Sequence, residues 1–412
     1  MRIVTPEALR RRLSDIPAAA PRVLASGNHA VPWSLIGAVD DALESYRLFM
    51  LNAPVGIPVR DGMTLETAFV GAGMRGQPRL DYHPCRLSLV PALLARRLPP
   101  DVVLLNTTVP RDRVVSLGVE VNILPAAVET ARARGSLVVA MLNRDMPYTY
   151  GDSQLSVDEI DLAIEVDEPL VPSSPPAPTE VQETIGALVA TRVPDGATLQ
   201  VGIGGIPDAT LGALTLRRGL RVWTEMFSDG LLGLVRSGAL DPDVPLTTSF
   251  AAGGAELYEW LDGNRRVVFA RTERTNDPGV ISRQPGMTSI NAALQVDLHA
   301  EANASYVDGH IYSGFGGQSD FVVGALHAHD GRAIVALPAW HAKSDTSTIV
   351  PHLDGPATSF QHSYVVTEHG IAAIWGGSQR DQACQLIDRA ADPRARDGLW
   401  SAARQMGLDC GP

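Results

Sequence analysis

Short runs of consecutive apolar residues alternate along this chain with stretches whose apolar positions recur at helical spacing. Residues 23–27 (VLASG), 101–106 (DVVLLN) and 137–142 (LVVAML) read as buried strands, and 126–134 as a helix entering the third of them. Beyond them, 180–191 reads as a helix with Ile185, Leu188 and Val189 on one face. A strand over 198–201 follows, and Pro207 suits the first turn of the next helix. Residues 221–225, 333–337 and 363–367 read as further strands, and 379–391 and 397–406 as late helices. Strand and helix taken in turn predict an α/β fold with mostly parallel sheets covered on both faces.

The run 169–179 (PLVPSSPPAPT) interrupts this alternation, because clustered Pro and Ser suit neither a helix interior nor a central strand. It predicts an N-terminal domain over 1–168, a linker over 169–179 and a C-terminal domain over 180–412. A length of 412 residues is ample for two such cores.

Composition narrows the partners. The net charge of −12 and a pI near 5.3 argue against a general nucleic-acid or anionic-membrane binder, although local donors can still hold an anionic ligand. Cys85, Cys384 and Cys410 are widely spaced and form no CxxC pair, so reduced thiols and a cytoplasmic setting are expected. The first residues lack a signal-peptide core, and no apolar run is long enough for a membrane span.

Three glycine-rich loops are candidates for ligand contact. Residues 71–76 (GAGMRG) match GxGxxG, but no helix start follows and no acid stands at the ribose-binding distance, so an ordinary turn is expected. Residues 202–207 (GIGGIP) lie between a strand and a helix, where bare N–H groups and the helix dipole favour negative charge. Glu225 stands about where a ribose-binding acid would, yet Pro207 replaces the third glycine of a dinucleotide fingerprint. The bland alternative there is a tight strand–helix turn. Residues 313–321 (SGFGGQSDF) carry three glycines in four positions, costly in entropy unless the backbone bends sharply or meets a ligand.

Four segments in order resemble the acetyl-CoA hydrolase/transferase family, which includes 4-hydroxybutyrate and succinyl-CoA:acetate CoA-transferases. They are 199–211 (LQVGIGGIPDATL), 224–240 (TEMFSDGLLGLVRSGAL), 290–305 (INAALQVDLHAEANAS) and 313–325 (SGFGGQSDFVVGA). Weaker echoes lie at 143–152, at 336–350 around Lys343, and at 365–371. The resemblance implies two CoA-transferase-type α/β domains with the active site between them, commonly in a homodimer or higher oligomer. It makes Glu225 the nucleophile and the backbone N–H groups of Ile203 and Gly316 the oxyanion donors. Gly202, Gly204, Gly205, Gly314, Gly317, Gln318 and Lys343 become the coenzyme A-contacting positions, with coenzyme A a co-substrate and no tightly bound cofactor or metal. Acyl-CoA and a small carboxylate are then the substrates.

The chemistry suits that layout. A carboxylate can attack a thioester carbonyl, and the released thiolate can return to the resulting anhydride, leaving a covalent glutamyl-CoA thioester. Each step passes through an oxyanion, and losing one preorganised donor to it typically costs about 3–4 kcal/mol. The resemblance does not separate a transferase from an acyl-CoA hydrolase using the same Glu225. A dinucleotide-dependent dehydrogenase on the 202 loop and a non-catalytic coenzyme A binder stand as remote alternatives.

Four positions depart from the family pattern. Gln295 replaces an acid, Ala300-Glu301 replaces Gly-Gln, and Gln361 stands near a usual basic residue, which bears on substrate range. Elsewhere Asp229 is expected to cap the helix that follows, His327 to Asp330 to form a polar turn, and Trp340 and Trp375 to pack. Arg10-Arg11-Arg12 is expected on a solvated helix face.

Overall fold

The computed structural model describes the chain apart from residues 173–175, 358, 360 and 410–412, so the centre of the expected linker and Cys410 lie outside the described residues. The chain divides into two compact units. The first comprises Met1–Ser173, Thr247–Thr275 and Tyr312–Gly316; the second comprises Ser174–Leu246, Asn276–Ile311 and Gly317–Pro412. Two later segments therefore fold with the N-terminal residues, a return that no linear boundary near 169–179 contains.

In the first unit, eight parallel strands lie in the spatial order Arg2–Ile3, Leu162–Val166, Leu137–Asn143, Val102–Thr107, Arg22–Ala25, Tyr46–Phe49, Met63–Thr67, Leu80–Tyr82. Every residue of Val102–Thr107 and Leu137–Asn143 is buried, as expected of central strands covered on both faces. The helix Leu124–Arg134 ends at Gly135, whose φ of 69° supplies the left-handed cap.

The second unit carries six strands in the order Arg221–Val222, Thr198–Val201, Thr288–Ala292, Arg332–Ala336, Tyr364–Thr367, Gly370–Ala373, all parallel except the last. The helix Glu180–Ala190 starts with a capping box between Thr179 and Gln182 and buries Ile185 and Val189. The α/β class with mostly parallel sheets is thus the observed one. The next helix starts at Gly205, two residues before Pro207. The helix expected over 379–391 is an α-helix only over Gln379–Gln385 and continues as a π-turn over Leu386–Ala390.

Three expectations are corrected. Asp229 takes helical backbone angles and makes no side-chain capping bond, because the turn before Gly230–Arg236 already curls as a helix. Trp375 is 62% exposed and does not pack, while Trp340 serves as a platform for Arg394, whose guanidinium carbon lies 3.7 Å from the ring centroid. Cys384 is disulfide-bonded, so reduced thiols throughout do not hold at that position. Among the described residues, no helix is long and apolar enough to cross a membrane.

Candidate active site

The second sheet reverses direction between Thr198–Val201 and Thr288–Ala292: the chain goes from Thr198–Val201 to Arg221–Val222 on one side, then returns to the other. Loops at the carboxyl ends of strands beside such a reversal are where open α/β sheets bind ligands. The Gly202 loop leaves the sheet there. Gly204 has a φ of 112°, a region that side chains disfavour, and leads into the helix Gly205–Ala213. Ile203 is 54% exposed. Gly205 has a packing reason to be glycine, since a Cβ there would collide with the Gln182 side chain.

Glu225 is placed by the neighbouring strand. Leu199 pairs with Val222, and the Thr224 hydroxyl donates to Val201 O at 3.2 Å and accepts from Val201 N at 3.4 Å. This lock sets the residue after Thr224 beside the base of the Gly202 loop. The Glu225 carboxylate accepts a hydrogen bond from Asn276 Nδ2 at 2.8 Å, and Asn276 is fully buried. Part of Glu225 stays open to solvent, yet the protein around the carboxylate removes most of its hydration. That desolvation raises its pKa to about 7; the Asn276 bond opposes the rise and the negative charge of buried Asp320 adds to it. Burial outweighs the hydrogen bond.

Gly317 has a steric reason to be glycine. A Cβ on it would overlap Glu225 Oε2 and Asn276 Nδ2. Gln318 and Asp320 follow in the first turn of the helix Gln318–His327. Asp320 is fully buried, and the Gln318 Nε2 atom is buried without a hydrogen-bond partner. Glu225, Asn276, Gly317 and Asp320 thus form one constellation. Sequence reasoning assigned no role to Asn276 or Asp320. Asp320 stood inside a recognised segment, whereas nothing local to Asn276 marks it.

The other glycines of the second candidate loop belong to the first unit. Val70 N donates to Ser313 O at 2.6 Å, and Leu87 N donates to Gly316 O at 2.9 Å. Gly314 and Gly316 have φ of 147° and 54°, and a Cβ on Gly314 would lie 2.8 Å from Ala68 O. The chain crosses from one unit to the other between Gly316 and Gly317. Lys343 stands exposed in the turn between the short strands Trp340–His341 and Thr346–Ser347. The loop 71–76 is a turn, as expected, with Gly71 and Gly73 packed on the backbone of residues 52–54. His327 ends a helix, and His329 and Asp330 pair at 3.1 Å in the exposed turn beyond it.

The relatives of this chain are enzymes that transfer or hydrolyse acyl-CoA thioesters. Residues 253–403 match the model of the acetyl-CoA hydrolase/transferase C-terminal domain. The chain is 37% identical to 4-hydroxybutyrate coenzyme A transferase of Clostridium kluyveri over 81% of this chain and 80% of that one. It is 35% identical to a succinyl-CoA:acetate/propanoyl-CoA:succinate CoA transferase of Fasciola hepatica, over 88% and 79%. The crystal structure of RipA from Yersinia pestis superposes with a TM-score of 0.91 at 29% identity, covering 99% of this chain and 98% of that one. The chain belongs to the acetyl-CoA hydrolase/transferase family.

Proposed function

We propose that this protein moves coenzyme A between a short-chain acyl-CoA and a free carboxylate, with Glu225 as the covalent nucleophile. The observation that carries the reading is the Glu225 carboxylate itself: desolvated, bonded to Asn276 and beside a glycine loop at the carboxyl edge of the sheet. The names of the relatives supply the substrate class.

In this reading, ionised Glu225 attacks the thioester carbonyl, the carbon–sulfur bond breaks, and coenzyme A leaves as thiolate. The thiolate adds to the glutamyl carbonyl of the anhydride and expels the acyl group as its carboxylate, leaving glutamyl-CoA. An acceptor carboxylate then attacks that thioester, and the thiolate it releases takes the new acyl group, freeing Glu225. The N–H groups of Ile203 and Gly316 serve the successive oxyanions. Gln318, whose buried amide nitrogen has no partner, is assigned as a donor to bound substrate, along with the coenzyme A contacts of Gly202, Gly204, Gly205, Gly314, Gly317 and Lys343. The reading includes a homodimer, checked by light scattering on the eluted protein.

Incubation with acyl-CoA alone leaves a glutamyl-CoA thioester, which borohydride reduces to an alcohol that peptide mass spectrometry locates at Glu225. Glu225→Ala abolishes both adduct and exchange. An adduct on another carboxylate, such as Glu273, would refute the assignment. Coenzyme A release that ignores acetate, succinate and butyrate alike would favour hydrolysis by water at the same residue.

A further inference from the structure

The strands that place Glu225 also have an opposite, amino-terminal edge, and a second feature of the second unit sits there. A surface hollow of ≈210 Å³ is lined by Thr191, Arg192, Val193, Pro194, Arg217, Arg332 and Tyr364. Arg332 and Tyr364 open their parallel strands, and 191–194 precede Thr198–Val201. At ~3.3 Å per residue, strands of four or five residues put this hollow roughly 13–17 Å from the edge bearing Glu225 and the Gly202 loop.

Among the described residues, its three arginines meet no carboxylate. Arg217 donates from Nη2 to Ala190 O at 2.9 Å, at the carboxyl end of Glu180–Ala190, and Arg332 donates from Nη1 to Asp330 O at 2.9 Å. The Arg192 guanidinium lies over the Tyr364 ring, 5.2 Å from its centroid. A guanidinium has five N–H donors, so most of the donors here are unused, in a protein with a net charge of −12.

We infer that this hollow is a second anion site, for a free diphosphate or a nucleoside diphosphate smaller than coenzyme A. Three guanidinium groups lining one hollow suit a group that presents several charged oxygens at once, since guanidinium pairs phosphate oxygens bidentately. A volume of ≈210 Å³ accommodates a diphosphate. The site stands apart from the thioester chemistry, and its test does not need turnover.

The experiment is calorimetric titration of the whole protein with inorganic pyrophosphate, in the presence of saturating coenzyme A. The expected result is saturable binding that coenzyme A does not displace. Arg192→Glu, at an exposed position, and Arg332→Gln each weaken it at least tenfold, while acyl-CoA exchange without pyrophosphate stays within about twofold of wild type. A parallel titration with ADP assigns the source: tighter binding than pyrophosphate marks a nucleoside diphosphate, equal or weaker binding the inorganic group, and either supports the site. Binding that survives Arg192→Glu, that coenzyme A abolishes, or that does not occur would overturn the inference. Among the described residues Arg192 makes no tertiary hydrogen bond, so its variant tests the site even if Arg332→Gln fails to fold.

Discussion

At Glu225 two requirements oppose each other. Attack needs the anion, yet the desolvation that makes an anion reactive also favours its protonated form, and the latter effect brings the pKa to about 7. The attacking fraction therefore grows with pH. The rate constant for acylation by acyl-CoA should rise through pH 7 and level off by about pH 9, as stopped-flow measurement across pH 5.5–9 would show. Asn276 opposes the upward shift, so Asn276→Ala should move that rise to higher pH. At pH 7 the variant should be several-fold slower, and at pH 9 most of the loss should return. A uniform loss at every pH would mean that Asn276 orients the carboxylate without tuning it.

Among the elements, the glycine loop at 313–317 has to satisfy two kinds of constraint. At Gly316 the constraint is conformational: φ of 54° is left-handed, and a β-branched residue there is strained. At Gly317 it is steric, because a Cβ meets the Glu225 and Asn276 side chains. Gly317→Ala should displace the carboxylate, and misplacement of about 1 Å can cost about 100-fold in rate. Gly316→Val should lower kcat far more than it weakens coenzyme A binding, the mark of a contact made in the transition state. Exchange kinetics with a coenzyme A binding measurement on each folded variant separate these effects; near-normal turnover in either would remove that residue from the mechanism.

For the molecule as a whole, two desolvated groups impose opposite pH dependences on stability. Glu225, raised from 4.5 to about 7, contributes stability that is full below about pH 4.5 and lost as pH rises through 7. His362, fully buried and lowered by desolvation from 6.5 to about 4, contributes stability present above pH 6.5 and lost as pH falls through 4. Glu225→Gln should therefore exceed wild type in stability at pH 8, by on the order of 1–3 kcal/mol, with little difference at pH 4.5. His362→Gln should remove the acid-side loss instead. Thermal unfolding of the three proteins from pH 4 to pH 8 decides both, since the variant-minus-wild-type difference cancels every other titrating group.

The sequence by itself marked part of both sheets, among them Val102–Thr107, Leu137–Asn143, Thr198–Val201 and Arg332–Ala336, several helices, the glycine loops and the family, because buried parallel strands are written as continuous apolar runs and the loop glycines answer to local backbone geometry; Tyr46–Phe49, Met63–Thr67, Leu162–Val166 and Thr288–Ala292 went unread. Glu225 was legible only because the segment TEMFSDG resembles a known one; as a lone Glu at a strand end it carries no mark. Asn276, 51 positions away in sequence, had no local signal at all. The pKa of Glu225 was also out of reach, since it depends on how much protein closes over the carboxylate from separate segments. The same limit hid the return of 247–275 and 312–316 to the first unit: a boundary can be read from proline and composition, but which sheet a later segment joins is decided by the long-range burial of its apolar face. Local geometry is encoded residue by residue, whereas desolvation and charge proximity exist only once distant segments are packed together.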